Sequence, residues 1–255
     1  MPHFDSHSAF LADLSPTLPA GFDRPHRLSS DKGPEDFHGS GTWSDVRAAA
    51  PLGRSDLAAR MRPLPPIHPL RPRRRAAYGV AGGAPSVPRH LAGNPISMRT
   101  TRKVLESPRT VRIAHCSYLG ARATVDHAIN RGIALLEIID ALEQNGTRVE
   151  LVVYKVSDEL GEGSVSITVK GPGDHYDLDL LAMILADSRW HRRLMFRSME
   201  QHLPRSAKNG YSGWNPLPGA YDWLTPAMNP DRCETPAAAR TWMNASAAEL
   251  LGTIK

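Results

Sequence analysis

The chain has 255 residues, 22 of them proline and 20 glycine, and its 31 Lys and Arg against 26 Asp and Glu give a formal net charge of +5. Fourteen prolines fall in residues 1–106, two in 107–203 and six in 204–255. Each removes a backbone donor and fixes φ, so only the middle third suits uninterrupted helices and central strands.

No run of about 18 apolar residues occurs, which excludes a membrane-spanning helix and a membrane partner. The opening Met-Pro-His-Phe-Asp lacks a basic-then-apolar export pattern. Cys116 and Cys233 lie in different segments and supply neither a disulfide framework nor a zinc quartet. A reducing cytoplasm is the expected setting. The charge is uneven: residues 1–106 hold 15 basic and 9 acidic side chains, residues 107–203 hold 11 and 13.

Residues 1–40 mix Ser, Pro, His and Asp without a sustained period and read as a disordered arm. Residues 41–106 read as a Pro/Arg-rich extended arm with short helices. Thr42-Trp43-Ser44-Asp45 has capping-box spacing before a short helix stopped by Pro51, and a second helix is predicted from Ser55 to Arg62. Five prolines between Pro63 and Pro72 predict a polyproline-like spacer leading into Arg71-Pro72-Arg73-Arg74-Arg75. Residues 79–98 are turn-rich.

An α/β core domain is predicted over 107–203. Val111–Ser117 suits a short strand, and a stripe of Val125, Ala128, Ile129, Gly132, Leu135, Leu136, Ile139 and Leu142 predicts an amphipathic helix. Thr124 caps it, Asn145-Gly146 ends it, and Gly132 on the stripe suggests close packing against a sheet. Arg148–Val156 is apolar on both faces, as an interior parallel strand requires. Ser164–Lys170 alternates and predicts a half-exposed antiparallel edge strand. Asp177 caps a further helix. Asp187-Ser188 opens the last, with Trp190, Leu194 and Met199 inward and Arg189, Arg192, Arg193 and Arg197 in water. Residues 204–255 read as an irregular tail. The fold class is therefore α/β: a small open sheet in strand–helix–strand–strand–helix–helix order, with Pro-rich arms.

In such sheets ligands bind beyond the carboxyl ends of the strands, which points to His115, Cys116 and Ser117 as ligand-loop candidates. Adjacent strand residues face opposite ways and cannot share a proton, so no catalytic residue is assigned. Asp177 and Asp179 among the acidic residues of 174–179 are explained as cap and first-turn carboxylate; no metal or cofactor is assigned. Arg71, Arg73, Arg74 and Arg75 are candidates for phosphate contacts, with Tyr78 as a stacking face. Trp43, Trp214, Trp223 and Trp242 lie outside the predicted core and are expected to dock on it or anchor a partner.

The element order, with an antiparallel edge strand after the first crossover, resembles the start of a von Willebrand factor A-type domain. Of that family's Asp-x-Ser-x-Ser metal motif, His115-Cys116-Ser117-Tyr118-Leu119 keeps only Ser117, which implies a degenerate domain without the metal site. Val87-Pro88-Arg89-His90-Leu91-Ala92-Gly93-Asn94-Pro95-Ile96-Ser97-Met98, with Arg131-Gly132 to Gly146 and Asp177-Leu178-Asp179, resembles an uncharacterised family of phages and prophages. That resemblance implies a mobile-element origin and no chemistry. The leading expectation is a non-enzymatic phage or prophage protein, a protein-interaction module whose arms wrap the core or a phage or host partner. The alternative is nucleic-acid binding through the Arg71–Arg75 arm.

Overall fold

Residues 2–17, 42–61, 74–103, 109–119, 122–157, 163–203 and 220–252 are described by a computed structural model. They fall into two units, Met1–Pro65 with Thr110–Lys255 and, separately, Pro66–Arg109. Along the chain run β1 (His3–Phe4), α1 (His7–Asp13), α2 (Trp43–Ala49) and α3 (Ser55–Met61). The smaller unit contributes β2 (Arg74–Gly79), β3 (Ala84–Pro85), α4 (Val87–Leu91) and β4 (Met98–Lys103). Next come β5 (Thr110–Cys116), α5 (Val125–Gln144), β6 (Arg148–Ser157) and β7 (Gly163–Lys170). After α6 (Leu178–Ala186), a π-helical stretch (Trp190–Met195) continues into α7 (Phe196–His202). The chain closes with β8 (Trp223–Leu224), α8 (Pro236–Ser246) and α9 (Ala248–Gly252).

The expected α/β centre is present. β5 and β6 pair in parallel with Val111 beside Val149, joined by α5, and β7 returns antiparallel with Val153 beside Ile167. Local signals place the helix ends. Thr124 accepts from the His127 amide and the His127 ring accepts from the Thr124 amide, a reciprocal cap for α5. Asp177 accepts from Asp179 and Leu180 at the start of α6, and Thr42 with Asp45 caps α2 in the same reciprocal way.

The arms depart from expectation. Residues 3–13, read as disordered, form β1 and α1. β1 lies parallel to β7, with His3 beside Ser166, and Phe10, Leu11 and Leu14 enter the core. At the other edge β8 pairs with β5, setting Trp223 beside Ile113. The larger sheet is thus five-stranded, in the order β1-β7-β6-β5-β8. β7 is an interior strand there, and Ser164, Ser166 and Lys170 are buried rather than exposed. The tail, read as irregular, is helical over 236–252 apart from Ala247, and Arg240 of α8 makes a two-pronged ion pair with Glu137 of α5. A two-residue strand has no periodicity to read, which is why β1 and β8 escape a pattern-based assignment.

Val111, Ile113, Val149, Leu151, Val153, Val165 and Ile167 face the helical layer, and Ala114, Cys116, Val152, Tyr154 and Val156 form a second cluster with Tyr118, Tyr221 and Ala227. Gly132 serves helix–helix packing instead of a sheet contact. A Cβ there would collide with the terminal methyl of Met61 on α3 and touch Leu185 on α6. Trp190, Leu194 and Met199 point inward as expected, but so do Arg192, Arg193 and Arg197, which were expected in water. The physical reason lies in the N-terminal segment: α2 packs over the π-helical stretch, and the Trp43 ring sits 4.7 Å from the Arg197 guanidinium.

Pro66–Arg109 holds its own antiparallel sheet in the order β2-β4-β3. Its register sets Arg74 opposite Lys103, Arg75 opposite Arg102 and Tyr78 opposite Arg99. Residues 74–103, read as extended arm and turns, are this sheet and α4. The proline spacer Pro63–Pro72 lies outside the described residues.

Candidate nucleic-acid interface

The strand-end candidates are part of the interior. His115 points toward α5, where its Nε2 accepts from Arg131 Nη2 at 3.1 Å; its Nδ1 then carries the proton and donates to Thr225 Oγ1 at 3.1 Å. Burial, and then the Arg131 charge, hold its pKa well below the usual histidine range. Arg131 also donates to the Cys116 carbonyl, and the Cys116 amide donates to Thr225 Oγ1. Ser117 spends its hydroxyl on the Tyr154 carbonyl at 3.0 Å. All three residues are at most 5% exposed. They tie β5 to α5 and to Thr225 just after β8, so their polar groups are turned to the interior.

The crevice beyond β5 does exist, but other residues line it. A cavity of about 250 Å³ is bounded by Leu119, Ala123, Thr124, Val125, Ala186, Ser188 and Arg192. Arg192 also reaches the Leu119 carbonyl at 3.4 Å. Among the described residues, no group of three His, Cys, Asp or Glu could hold a metal.

Sequence reasoning overlooked a buried basic cluster in the same layer. The Lys155 Nζ lies 3.0 Å from His191 Nε2 and 3.7 Å from the Phe196 ring centre. Burial first, and Arg192 second, push its pKa well below the lysine value. His191 is lowered by burial and then by Lys155. The signal was present: Lys155 is in phase with Val149, Leu151 and Val153, the inward set of a parallel strand.

The second set of candidates lies in the smaller unit. Arg71 and Arg73 fall outside the described residues. Arg74 and Arg75 open β2, and Tyr78 sits near its end with 42% of its surface exposed. The Arg89 guanidinium of α4 lies 4.1 Å over the Tyr78 ring centre, a cation–π stack missed in the sequence because the partners are 11 positions apart. On β4, Arg99 stands opposite Tyr78, and Arg102 and Lys103 occupy the last two rungs at the far end. Between residues 66 and 109 the chain carries nine Lys and Arg and one acidic residue, Glu106. The remainder of the chain is net acidic. Tyr78, Val80, Val87, Leu91 and Ile96 are exposed apolar side chains of the same unit. Of the two candidate sets, this one includes an exposed aromatic, Tyr78, within a strongly basic stretch of sequence.

No helix among the described residues is long and apolar enough to cross a membrane. Comparison with curated proteins gives no match, and comparison with solved structures gives none. One family matches, over residues 1–231, a span that covers the smaller unit and the larger one through β8 and ends before α8. The chain belongs to that family, described as a domain of unknown function, DUF7192.

Proposed function

We propose that this chain is a nucleic-acid-binding protein that meets phosphates with its basic three-stranded unit. The observation that supports it is charge gathered by the backbone. Nine Lys and Arg and a single Glu lie in 66–109, and the register places Arg74 against Lys103 and Arg75 against Arg102. Like charges directly opposite weaken a strand pair, and a polyanion laid along the ladder relieves that repulsion while releasing its own counterions. The reading suits a protein of a phage or other mobile element, the origin that the resemblance of residues 87–98 implies, and the reducing cytoplasm expected from its two separated cysteines.

Titrating the binding of the full chain to labelled DNA and RNA against salt tests it. Log affinity should fall linearly with log salt, and replacing Arg71, Arg73, Arg74 and Arg75 by Gln should flatten the slope by up to about 3 on a single strand and about 4 on duplex DNA. No binding to either polymer at low salt removes the reading.

A second reading, a non-enzymatic module that binds another phage or host protein, is favoured by Val87 and Leu91. These lie one turn apart on α4 and are 62% and 80% exposed, an apolar face that a partner would cover. The tryptophans no longer argue for it: Trp223 is in the sheet, Trp43 and Trp242 pack on the chain's own core, and Trp214 lies outside the described residues. Affinity capture with and without nuclease separates the two. A protein partner that survives nuclease favours the second reading; loss of every partner favours the first.

A further inference from the structure

Resting on the nucleic-acid reading, we infer that the ligand is single-stranded, its bases stacking on the Tyr78–Arg89 pair and meeting exposed apolar residues of the same unit while cationic side chains take the phosphates. The Tyr78 ring is held by Arg89 at 4.1 Å yet keeps 42% of the residue's surface in water. Tyr78, Arg99 and Ala84 form one rung across β2, β4 and β3 and so share a face of the sheet. With a period of two, the Arg74–Lys103 rung belongs to that face as well. One aromatic position, Tyr78, therefore shares a side of the ladder with the cationic positions Arg99, Arg74 and Lys103, the Ala76–Thr101 rung lying between them, and a stacking face beside backbone-binding cations suits a strand with open bases.

Val80, Val87, Leu91 and Ile96 are 77%, 62%, 80% and 46% exposed. A duplex keeps its bases stacked inside and offers phosphates and groove edges, against which apolar side chains and an aromatic face gain little. Unstacked bases offer π faces to both. At five residues, α4 spans only about 7.5 Å, too short to read along a major groove. With Arg89 of α4 laid on Tyr78, the β2–β4 pair is not a bare two-stranded blade for that groove either. The charge selects a polyanion, and the exposed ring and aliphatic groups select one with open bases.

Fluorescence anisotropy of the full chain with labelled poly(dT), poly(rU) and a mixed-sequence duplex, each of roughly 20 nucleotides per strand, tests the inference. At one salt concentration at least one single strand should bind about tenfold or more tightly than the duplex, the DNA and RNA arms reporting which sugar is accepted. Tyr78→Ala should lose about tenfold on that strand and nothing on the duplex, with an unchanged salt slope, and Tyr78→Phe should keep wild-type affinity. Should Tyr78→Ala prove unfolded, 2-aminopurine placed in the single strand decides with the wild-type chain, its emission shifting on binding if bases stack. Duplex binding as tight as single-strand binding, or unshifted 2-aminopurine, overturns the inference and leaves the nucleic-acid reading standing. Absence of binding to all three probes at low salt overturns that reading itself.

Discussion

Trp190 Nε1 donates to His7 Nε2 at 3.1 Å, tying α1 to the π-helical stretch across 183 positions of sequence. Both residues are buried, and the Phe10 ring stands 5.9 Å from Trp190 and 6.1 Å from His7. The bond needs an unprotonated Nε2, so His7 is neutral with its proton on Nδ1.

Acid should release this N-terminal segment. Burial lowers the His7 pKa from 6.5 to about 4, so the unfolded segment binds a proton before the folded one does. The stabilisation is complete above about pH 6.5 and declines as pH falls toward 4, where about 3 kcal/mol is gone. Amide exchange of residues 7–13 should accelerate between pH 7 and pH 4.5 relative to α5, after correction for intrinsic rates. Equal protection at both values would refute the coupling.

Thr225 joins β8 to β5 through its hydroxyl, which meets both the Cys116 amide and His115 Nδ1. Thr225→Val keeps the shape and removes both bonds, leaving buried donors without acceptors. The expected cost is about 1–3 kcal/mol, read as a lower urea midpoint at constant slope. An unchanged midpoint would mean that other groups satisfy those donors.

A Cβ at Gly132 would meet the terminal methyl of Met61 on α3, which can swing aside for one carbon but has less room to yield to a branched side chain. Gly132→Val should destabilise by about 1–3 kcal/mol through overpacking. Met61→Ala, costly alone, should recover part of that loss in the double variant, a coupling that a thermodynamic cycle measures. Strict additivity would show that the two positions do not touch.

Lys155 is expected to make stability rise with pH above neutrality. Its folded pKa is held below the ordinary lysine value by burial and Arg192, so the unfolded chain binds the extra proton until about pH 10.4. The slope is at most about 1.4 kcal/mol per pH unit. Lys155→Met should remove this rise. Parallel pH profiles for the two proteins would contradict the assignment.

Much of the larger unit was legible because its signals are local. Thr124, Asp177 and Thr42 cap helices within three residues of the backbone amides that donate to them, and the stripe from Val125 to Leu142 repeats within a single helix. The candidate site was legible in part. Arg74, Arg75 and Tyr78 could be named from composition, whereas Arg89 joined them only through the β2–β4 pairing and the placement of α4. His115, Cys116 and Ser117 looked like a ligand loop because Thr225, which spends the polar groups of His115 and Cys116, is about 110 positions away.

The sequence by itself determined the parallel β5–α5–β6 centre, its hairpin and its helix ends, since periodicity and capping act over a few residues. Tertiary structure alone decided that His3 would lie beside Ser166, that Trp223 would lie beside Ile113, and that Arg192, Arg193 and Arg197 would leave water. Two residues of strand have almost no propensity of their own. Their free energy comes from ladder bonds and burial against partners far along the chain, which no local window contains.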